Sequence, residues 1–168
     1  MNVAHVHLLV NHLPIFGSFF LLPVLVLAGI LPQQRALLGL ATGFAVMTAV
    51  GAVAADQSGE GAEEVVETLP RASEGALELH EERAEVAVAS AALTAAFAVG
   101  TAAWSLRRGE TSRAAVGATF VAGAVTAGAM AWTGWAGGQI THDEVRAGSA
   151  AVHPGGDAGG REGEDDDD

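Results

Sequence analysis

Four long stretches without a charged residue constrain the fold more than any other feature of this sequence. They are 19 to 24 residues long and comprise Leu13–Leu31, Ala36–Ala55, Val86–Leu106 and Ala114–Gly137. About 20 helical residues cross the ~30 Å hydrocarbon core of a bilayer. A soluble fold would need amphipathic partners to cover such stretches, and the rest of the chain is too short to supply them. We therefore predict an all-α, integral membrane four-helix bundle with helices over about 13–31, 36–55, 84–106 and 114–137.

The segments outside these stretches are mostly acidic, and the longest of them connects the second stretch to the third. Its first part, GEGAEEVVETLP, predicts a short acidic amphipathic helix that begins near Ser58 and ends before Pro70. Ser73 predicts the N-cap of a further helix that continues into the third stretch, and Gly109 predicts the turn that follows it. Residues 1–147 are thus the predicted transmembrane domain. Residues 148–168 form a Gly-rich, acidic tail that we predict to be disordered.

Pro14 leaves two possibilities for the start of the first helix. Proline lacks a backbone N–H and clashes with the carbonyl four residues before it, here that of Val10. The helix therefore begins near Leu13 with Pro14 in its first turn, or near Val3 with a kink at the proline.

Regularly spaced glycines indicate where helices approach each other closely. The second stretch carries three of them at four- and eight-residue steps, and the fourth carries a further pair: Gly39, Gly43 and Gly51, then Gly134 and Gly138. Small residues in such a register form a groove for a neighbouring helix. We therefore predict tight packing at these positions.

The distribution of charge over the connections predicts the orientation. Four of the eight basic residues, all of them arginine, lie in the two short turns at one end of the bundle: Arg35, Arg107, Arg108 and Arg113. Short basic connections face the cytoplasm, so both termini and the acidic loop are predicted to be extracytoplasmic. Tryptophans near the ends of the third and fourth stretches fit an interfacial aromatic belt: Trp104, Trp132 and Trp135.

The composition excludes several classes of function. The chain has no cysteine and no lysine, which excludes thiolate-held clusters, Schiff-base chemistry and a Walker-type phosphate loop. A net charge of −12 excludes a basic nucleic-acid surface. The sequence also lacks the zinc-protease helix motif and the carboxylate di-metal motif, and no hydrolytic triad can be assembled from it. An enzyme is therefore less expected than a binding or structural protein.

The histidines are the candidate functional residues. His12, His80 and His142 lie at the predicted outer ends of the first, third and fourth stretches, and His5 shares a helical face with His12. Neutral imidazole is a common ligand of haem iron and of transition metals. All four histidines are therefore candidate ligands of a haem b, and the first three are candidate ligands of a transition metal. The alternative, that each is a solvated residue at a helix end, stays open.

Three phrases in the sequence resemble an uncharacterised family of bacterial four-helix inner-membrane proteins: HLLVNHLPIFG, GEGAEEVVETLPRASEGALELHEE and TGWAGGQITHDEVR. A weaker resemblance extends to a broader group of unknown function with a histidine-proline opening and a Gly-Gly turn after its last helix. The resemblance covers Ala4 to about Arg146. It implies the same fold, a multi-pass location in the bacterial inner membrane and a role for His12, His80 and His142, but no particular activity.

Three functions are consistent with these features. The first is a redox or binding module whose outer histidines hold haem b or a transition metal. The second is a structural or accessory subunit without a cofactor, docked through its small-residue surfaces to a membrane-protein partner or to a second copy. The third is a small transporter gated by the proline-broken first helix, and the lack of charge within the apolar stretches disfavours it. In each case the lipid bilayer is the surrounding medium.

Overall fold

The computed structural model describes residues 2–32, 35–70 and 72–146, and its regular structure is helical throughout these ranges. The elements in order are α1 (Val3–Val10), α2 (His12–Ile30), α3 (Arg35–Val66), α4 (Glu74–Arg108), α5 (Arg113–Thr141) and a short 3₁₀ helix, Asp143–Val145. Within the described ranges, four helical segments are long and apolar enough to cross a membrane: α1 with α2, then α3, α4 and α5. This confirms the predicted all-α architecture of four long apolar helices. The predicted tail, residues 148–168, lies outside the described residues.

The four long helices form a closed ring. Both α2 and α4 pack against α3 and α5, so each long helix has two neighbours, and successive helices run in opposite directions. The two short turns meet at one end, where the guanidinium of Arg35 donates a hydrogen bond to the carbonyl of Gly109. Gly109 also ends α4 with φ 79°, a left-handed conformation that glycine adopts without strain. The opposite end is built from α1, the last turns of α3, the first turns of α4 and the end of α5.

Both possibilities for the start of the first helix are partly correct. Helical structure begins at Val3, as the earlier start predicts, and is interrupted at Asn11. A second helix then begins at His12, with Pro14 buried in its first turn, where the missing N–H leaves no intrahelical bond unmade. The helix α1 packs against the last turns of α3, so closely that a Cβ on Gly61 would lie 2.7 Å from Val3 Cγ1.

The prediction of a separate acidic helix near Ser58 is wrong. The helix α3 is continuous over 32 residues, from the apolar stretch into the acidic segment. The Ser58 hydroxyl donates to the Ala55 carbonyl at 3.0 Å, so it bonds within the helix and caps no new one. No proline interrupts this segment, and packing against α1 outweighs the low helix propensity of its glycines. By contrast, Ser73 caps α4 as predicted, accepting a hydrogen bond from the Ala76 N–H at 3.4 Å.

Small residues fill the interior of the bundle, and large apolar side chains face outwards. The buried apolar residues are mainly alanines, with Leu21 and Leu25 as the largest fully buried ones. The exposed apolar residues include Phe16, Phe19, Phe20, Val50, Leu106 and Val121. This distribution is the reverse of that in a soluble helical bundle, where the largest apolar side chains are buried.

The glycine prediction is correct at one position and wrong at four. A Cβ on Gly51 would lie 3.0 Å from both Leu13 Cβ and Pro14 Cδ, so α2 and α3 approach closely there. The other predicted glycines have no neighbouring atom within 4 Å of such a Cβ: Gly39, Gly43, Gly134 and Gly138. Gly39 and Gly43 are turned by about 80–120° from the face of α3 that carries Gly51, because successive helical residues rotate by about 100°.

Buried threonines that were not predicted as contacts join α4 to α5 along a seam. Thr94 bonds Thr126 at 2.9 Å, and Thr101 bonds Thr119 at 3.1 Å, both through their hydroxyl oxygens. On each helix these threonines are seven residues apart, and Thr133 continues the series on α5. A seven-residue spacing keeps one face of a helix turned to its neighbour. The seam therefore fixes the register of the two helices with polar groups.

We expect the Thr94–Thr126 hydrogen bond to show a measurable coupling energy. Thr94→Val and Thr126→Val should each lower the free energy of unfolding in mixed micelles by about 1 kcal/mol, and the double variant should show a coupling near 0.6 kcal/mol, the average for polar pairs inside membranes. Thr68→Val is the matched control, since Thr68 is exposed beyond α3 and should change stability by less than about 0.5 kcal/mol. Purely additive single effects would contradict this assignment.

Candidate functional site

Two histidines cross from one helix to the backbone of another at the end of the bundle opposite the arginine turns. His7 on α1 hydrogen-bonds through Nδ1 to the Ala55 carbonyl of α3 at 2.9 Å. His80 on α4 hydrogen-bonds through Nδ1 to the Thr133 carbonyl of α5 at 2.9 Å. Both side chains are partly buried. All four helices at this end are therefore tied in pairs by an imidazole.

A glycine gives each imidazole access to its carbonyl. In a helix, the carbonyl of residue i lies beside residue i+4. That residue is Gly59 for the carbonyl of Ala55 and Gly137 for the carbonyl of Thr133. A Cβ on Gly137 would lie 3.0 Å from His80 Cε1, and one on Gly59 would lie 3.8 Å from His7 Cε1. Because glycine has no side chain, each imidazole ring can lie flat against the backbone of the neighbouring helix.

The hydrogen bonds determine the tautomer of both rings. A carbonyl oxygen only accepts hydrogen bonds, so Nδ1 of each imidazole carries the proton and donates it. In the neutral ring, Nε2 then carries the free lone pair. Within the described part of the chain, no hydrogen bond is made by Nε2 of His7 or His80. Each ring is thus oriented through one nitrogen and has the other available as a ligand.

His80 lies before Val86, where the uncharged stretch of α4 begins, and its environment favours the neutral ring. Burial is the largest influence and lowers the pKa of His80, while the hydrogen bond to Thr133 acts in the opposite direction. His7 lowers the pKa of His80 further, because the two rings are close enough for their positive charges to repel. A neutral imidazole is the form that binds a metal.

The other predicted ligands lie on the surface. His5 is exposed on α1. His12 is also exposed; its Nδ1 bonds the Leu8 carbonyl of its own chain segment at 2.7 Å, and its ring stacks on Phe16 with the centroids 6.1 Å apart. His142 is exposed after α5 and pairs with Glu144 at 2.8 Å.

The structure does not gather His12, His80 and His142 around one point. Among the described residues, no group of three or more histidine, cysteine, aspartate or glutamate side chains is placed to hold a metal ion. His7 was not among the predicted ligands, because the prediction rested on the helical face that His5 and His12 share. Two residues correspond to about 200° of rotation, so His7 projects from the opposite face of α1. Gly59 and Gly137 are the sequence features that could have indicated the positions of the two rings, since each glycine lies beside the carbonyl that a histidine contacts.

Two buried polar atoms at this end have no hydrogen-bond partner. Within the described ranges, Oδ1 of Asn11 and Nε of Arg83 are the buried side-chain atoms without one. Asn11 lies between α1 and α2, and Arg83 lies one helical turn after His80 on α4. Unsatisfied buried polar groups are rare in native proteins, and each requires an explanation.

Carboxylates surround the same end of the bundle. Glu81 of α4 lies close to acidic residues of its own helix and of α3. Partial burial is the largest cause that raises the pKa of Glu81, followed by the interaction with Glu63 and by the negative charges of Glu63, Glu78 and Glu67. The long extensions of α3 and α4 therefore bring carboxyl groups together at this end.

Comparison with known proteins gives no independent assignment of this site. No protein-family model matches the chain, and no curated protein or solved structure is significantly similar to it. The resemblance to a bacterial four-helix family therefore stays a prediction.

We expect Gly137→Ala to displace His80, whereas Gly138→Ala should not. The added methyl group would lie 3.0 Å from the imidazole, and forcing such a contact typically costs about 1–3 kcal/mol of folding free energy. Gly138 is the matched control, because a Cβ there has no neighbour within 4 Å and alanine should stabilise the helix by about 0.5–1 kcal/mol. Unfolding in detergent measures both effects, and nitrogen NMR of labelled histidine reports loss of the Nδ1–H bond. Equal stability of the two variants would contradict the tight contact.

Proposed function

We propose that this chain is a multi-pass protein of the bacterial inner membrane that binds haem b at the extracytoplasmic end of its bundle, where His7 and His80 would hold the iron. The observation that carries the proposal is the arrangement of these two rings. They come from different helices at the same end of the bundle, donate Nδ1–H to backbone carbonyls and keep Nε2 free of hydrogen bonds in the described residues. Metal-ligating histidines have this hydrogen-bond pattern, which fixes their orientation and raises their basicity.

Haem is favoured over a bare transition metal by the number of available ligands. A metal ion held by protein alone generally needs three or four side chains, and the described residues offer no such group. Haem iron takes its equatorial ligands from the porphyrin and needs only one or two from the protein. The preference for neutral His80 supports this assignment, because a protonated ring cannot coordinate iron.

Electron transfer is the activity that this coordination supports. Held by His7 and His80 together, a haem would supply one-electron redox chemistry at this end of the bundle. The absence of cysteine and lysine from the chain also removes the commonest covalent nucleophiles apart from hydroxyl groups. We therefore propose a redox module rather than an enzyme that binds its substrate at the iron.

The membrane location is supported by the surface and by helix length. Large apolar side chains cover the outside of the four long helices, where lipid accommodates them and water does not. The arginine turns lie together at one end and the histidines at the other. Positive turns face the cytoplasm, so we place the histidines and both chain termini on the extracytoplasmic side.

The proposed orientation predicts which introduced cysteines a membrane-impermeant maleimide reaches in spheroplasts. Glu78 and Glu110 are both exposed and lie at opposite ends of the bundle, and the chain has no native cysteine. Glu78→Cys should be labelled in intact spheroplasts, whereas Glu110→Cys should be labelled only after permeabilisation. Labelling of Glu110→Cys alone, or of both in intact spheroplasts, would overturn the orientation.

The haem proposal predicts a one-to-one complex with a low-spin Soret spectrum when the detergent-purified chain is titrated with haem. His7→Ala and His80→Ala should each abolish the six-coordinate spectrum, because each removes one axial ligand. His5→Ala and His142→Ala are the controls, since both rings are exposed and should be dispensable. A wild-type chain that binds no haem would overturn the function. A spectrum lost in His12→Ala but kept in His7→Ala would instead transfer the ligand role to His12.

A further inference from the structure

An arginine lies buried between α4 and α5, next to the start of the apolar part of α4. Arg83 is only 7% exposed, and its guanidinium carbon lies 4.3 Å from the ring centre of Trp132 and 5.0 Å from that of Trp135. Its Nη1 donates a long hydrogen bond of 3.4 Å to the Trp132 carbonyl. Its Nε is buried without a partner among the described residues.

The charge of Arg83 is not neutralised by any carboxylate in the described part of the chain. The guanidinium remains protonated in proteins and presents five N–H donors in a fixed plane. Removing such a charge from water without an anion costs several kcal/mol, and the two indole rings offset part of that cost through cation–π attraction. The hydrogen-bonding capacity of Arg83 is therefore incompletely used, and its geometry suits a planar pair of oxygen atoms.

If the chain is inserted in the bilayer as proposed, the position of Arg83 indicates which anion its guanidinium would bind. Arg83 lies three residues before Val86, where the uncharged stretch begins. Trp132 and Trp135 are 51% and 57% exposed and flank it, as tryptophans do at the level of lipid headgroups. The anion that is present at that depth in every membrane is the phosphate diester of a phospholipid.

The acids beside Arg83 determine which headgroup is favoured. Four glutamates lie within five residues of Arg83 in the sequence and are exposed on α4, so this end of the helix presents a negative surface: Glu78, Glu81, Glu82 and Glu85. This negative surface repels a headgroup with a net negative charge and attracts an ammonium group. We propose that Arg83, Trp132 and Trp135 form a binding site in the extracytoplasmic leaflet for a zwitterionic phospholipid headgroup, in which Arg83 binds the phosphate and the negative surface of this end of the bundle attracts the primary ammonium.

The test is a titration of the full-length chain in detergent, followed by tryptophan fluorescence. The probes are short-chain phosphatidylethanolamine, short-chain phosphatidylglycerol and inorganic phosphate. Wild-type protein should bind phosphatidylethanolamine most tightly, and Arg83→Gln should weaken that binding at least about tenfold, because a charge-assisted, bidentate contact is lost. Arg83→Lys keeps the charge but not the planar fork, so it should give an intermediate affinity.

The other end of α4 provides a matched control. Arg108 lies over Trp104, with its guanidinium carbon 4.7 Å from the ring centre, but it is exposed. Arg108→Gln should leave phosphatidylethanolamine binding unchanged. If Arg83→Gln does not fold, Trp135→Leu tests the same site by removing one wall, and it should weaken binding by several fold.

Three results would overturn the proposal. Equal phosphatidylethanolamine affinity in Arg83→Gln and wild type would remove Arg83 from the site. Equal affinity for inorganic phosphate would show that the site takes a free anion rather than a lipid, and tighter binding of phosphatidylglycerol would contradict the role of the carboxylates. The Soret titration is independent of all three, so loss of the haem proposal would not affect this one. A failure of membrane insertion is detected separately by the cysteine labelling.

Discussion

The hydrogen bond from a side chain on one helix to a group on the next is the interaction on which this structure depends. The buried apolar residues are mostly alanine, and the large apolar side chains face outwards, so burial of apolar surface holds the helices together only weakly. In lipid, moreover, an apolar side chain gains little by moving from the acyl chains into the core. Register must therefore come from close packing and from polar contacts such as Thr94 with Thr126, Thr101 with Thr119 and His80 with Thr133.

The same register positions the candidate site. On α4, positions 80, 87, 94 and 101 follow one another at seven-residue steps, so His80 lies in the row that carries the seam threonines. Its partner carbonyl belongs to Thr133, which continues the corresponding row on α5. The imidazole is therefore held by a rigid helix pair rather than by a loop, which gives a ligand a defined position. His7 lacks this support from a long helix, and its bonds to Ala55 and Ser58 hold it instead.

The sequence predicted the parts of this molecule that follow from local chemistry. Charge-free length identified the four apolar helices, Ser73 and Gly109 marked the ends of α4, and Pro14 marked a break in the first helix. The continuity of α3 was missed, because Ser58 follows the apolar stretch and was interpreted as the start of a new helix, whereas its hydroxyl bonds the Ala55 carbonyl within α3. The inward position of His7 and the surface position of His12 were also missed, since they depend on which face of a broken helix meets α3. The threonine repeat was present in the sequence, but a polar seven-residue period is weak evidence until the partner helix is known.

The buried polar atoms without a hydrogen-bond partner in the described residues lie at one end of the bundle, which supports the proposal that ligands bind there. In the interior of the described bundle, the buried threonine hydroxyls have partners, as a low-dielectric surrounding requires. The buried side-chain atoms that lack a partner in the described residues, Asn11 Oδ1 and Arg83 Nε, both lie at the end where His7 and His80 have no hydrogen bond at Nε2. Buried polar groups that only support packing are hydrogen-bonded within the protein. Buried polar groups that lack such a partner are therefore expected where a bound ligand supplies it. The two proposed ligands, a haem iron and a lipid phosphate, differ in chemistry, but each supplies the partner that the chain itself does not provide.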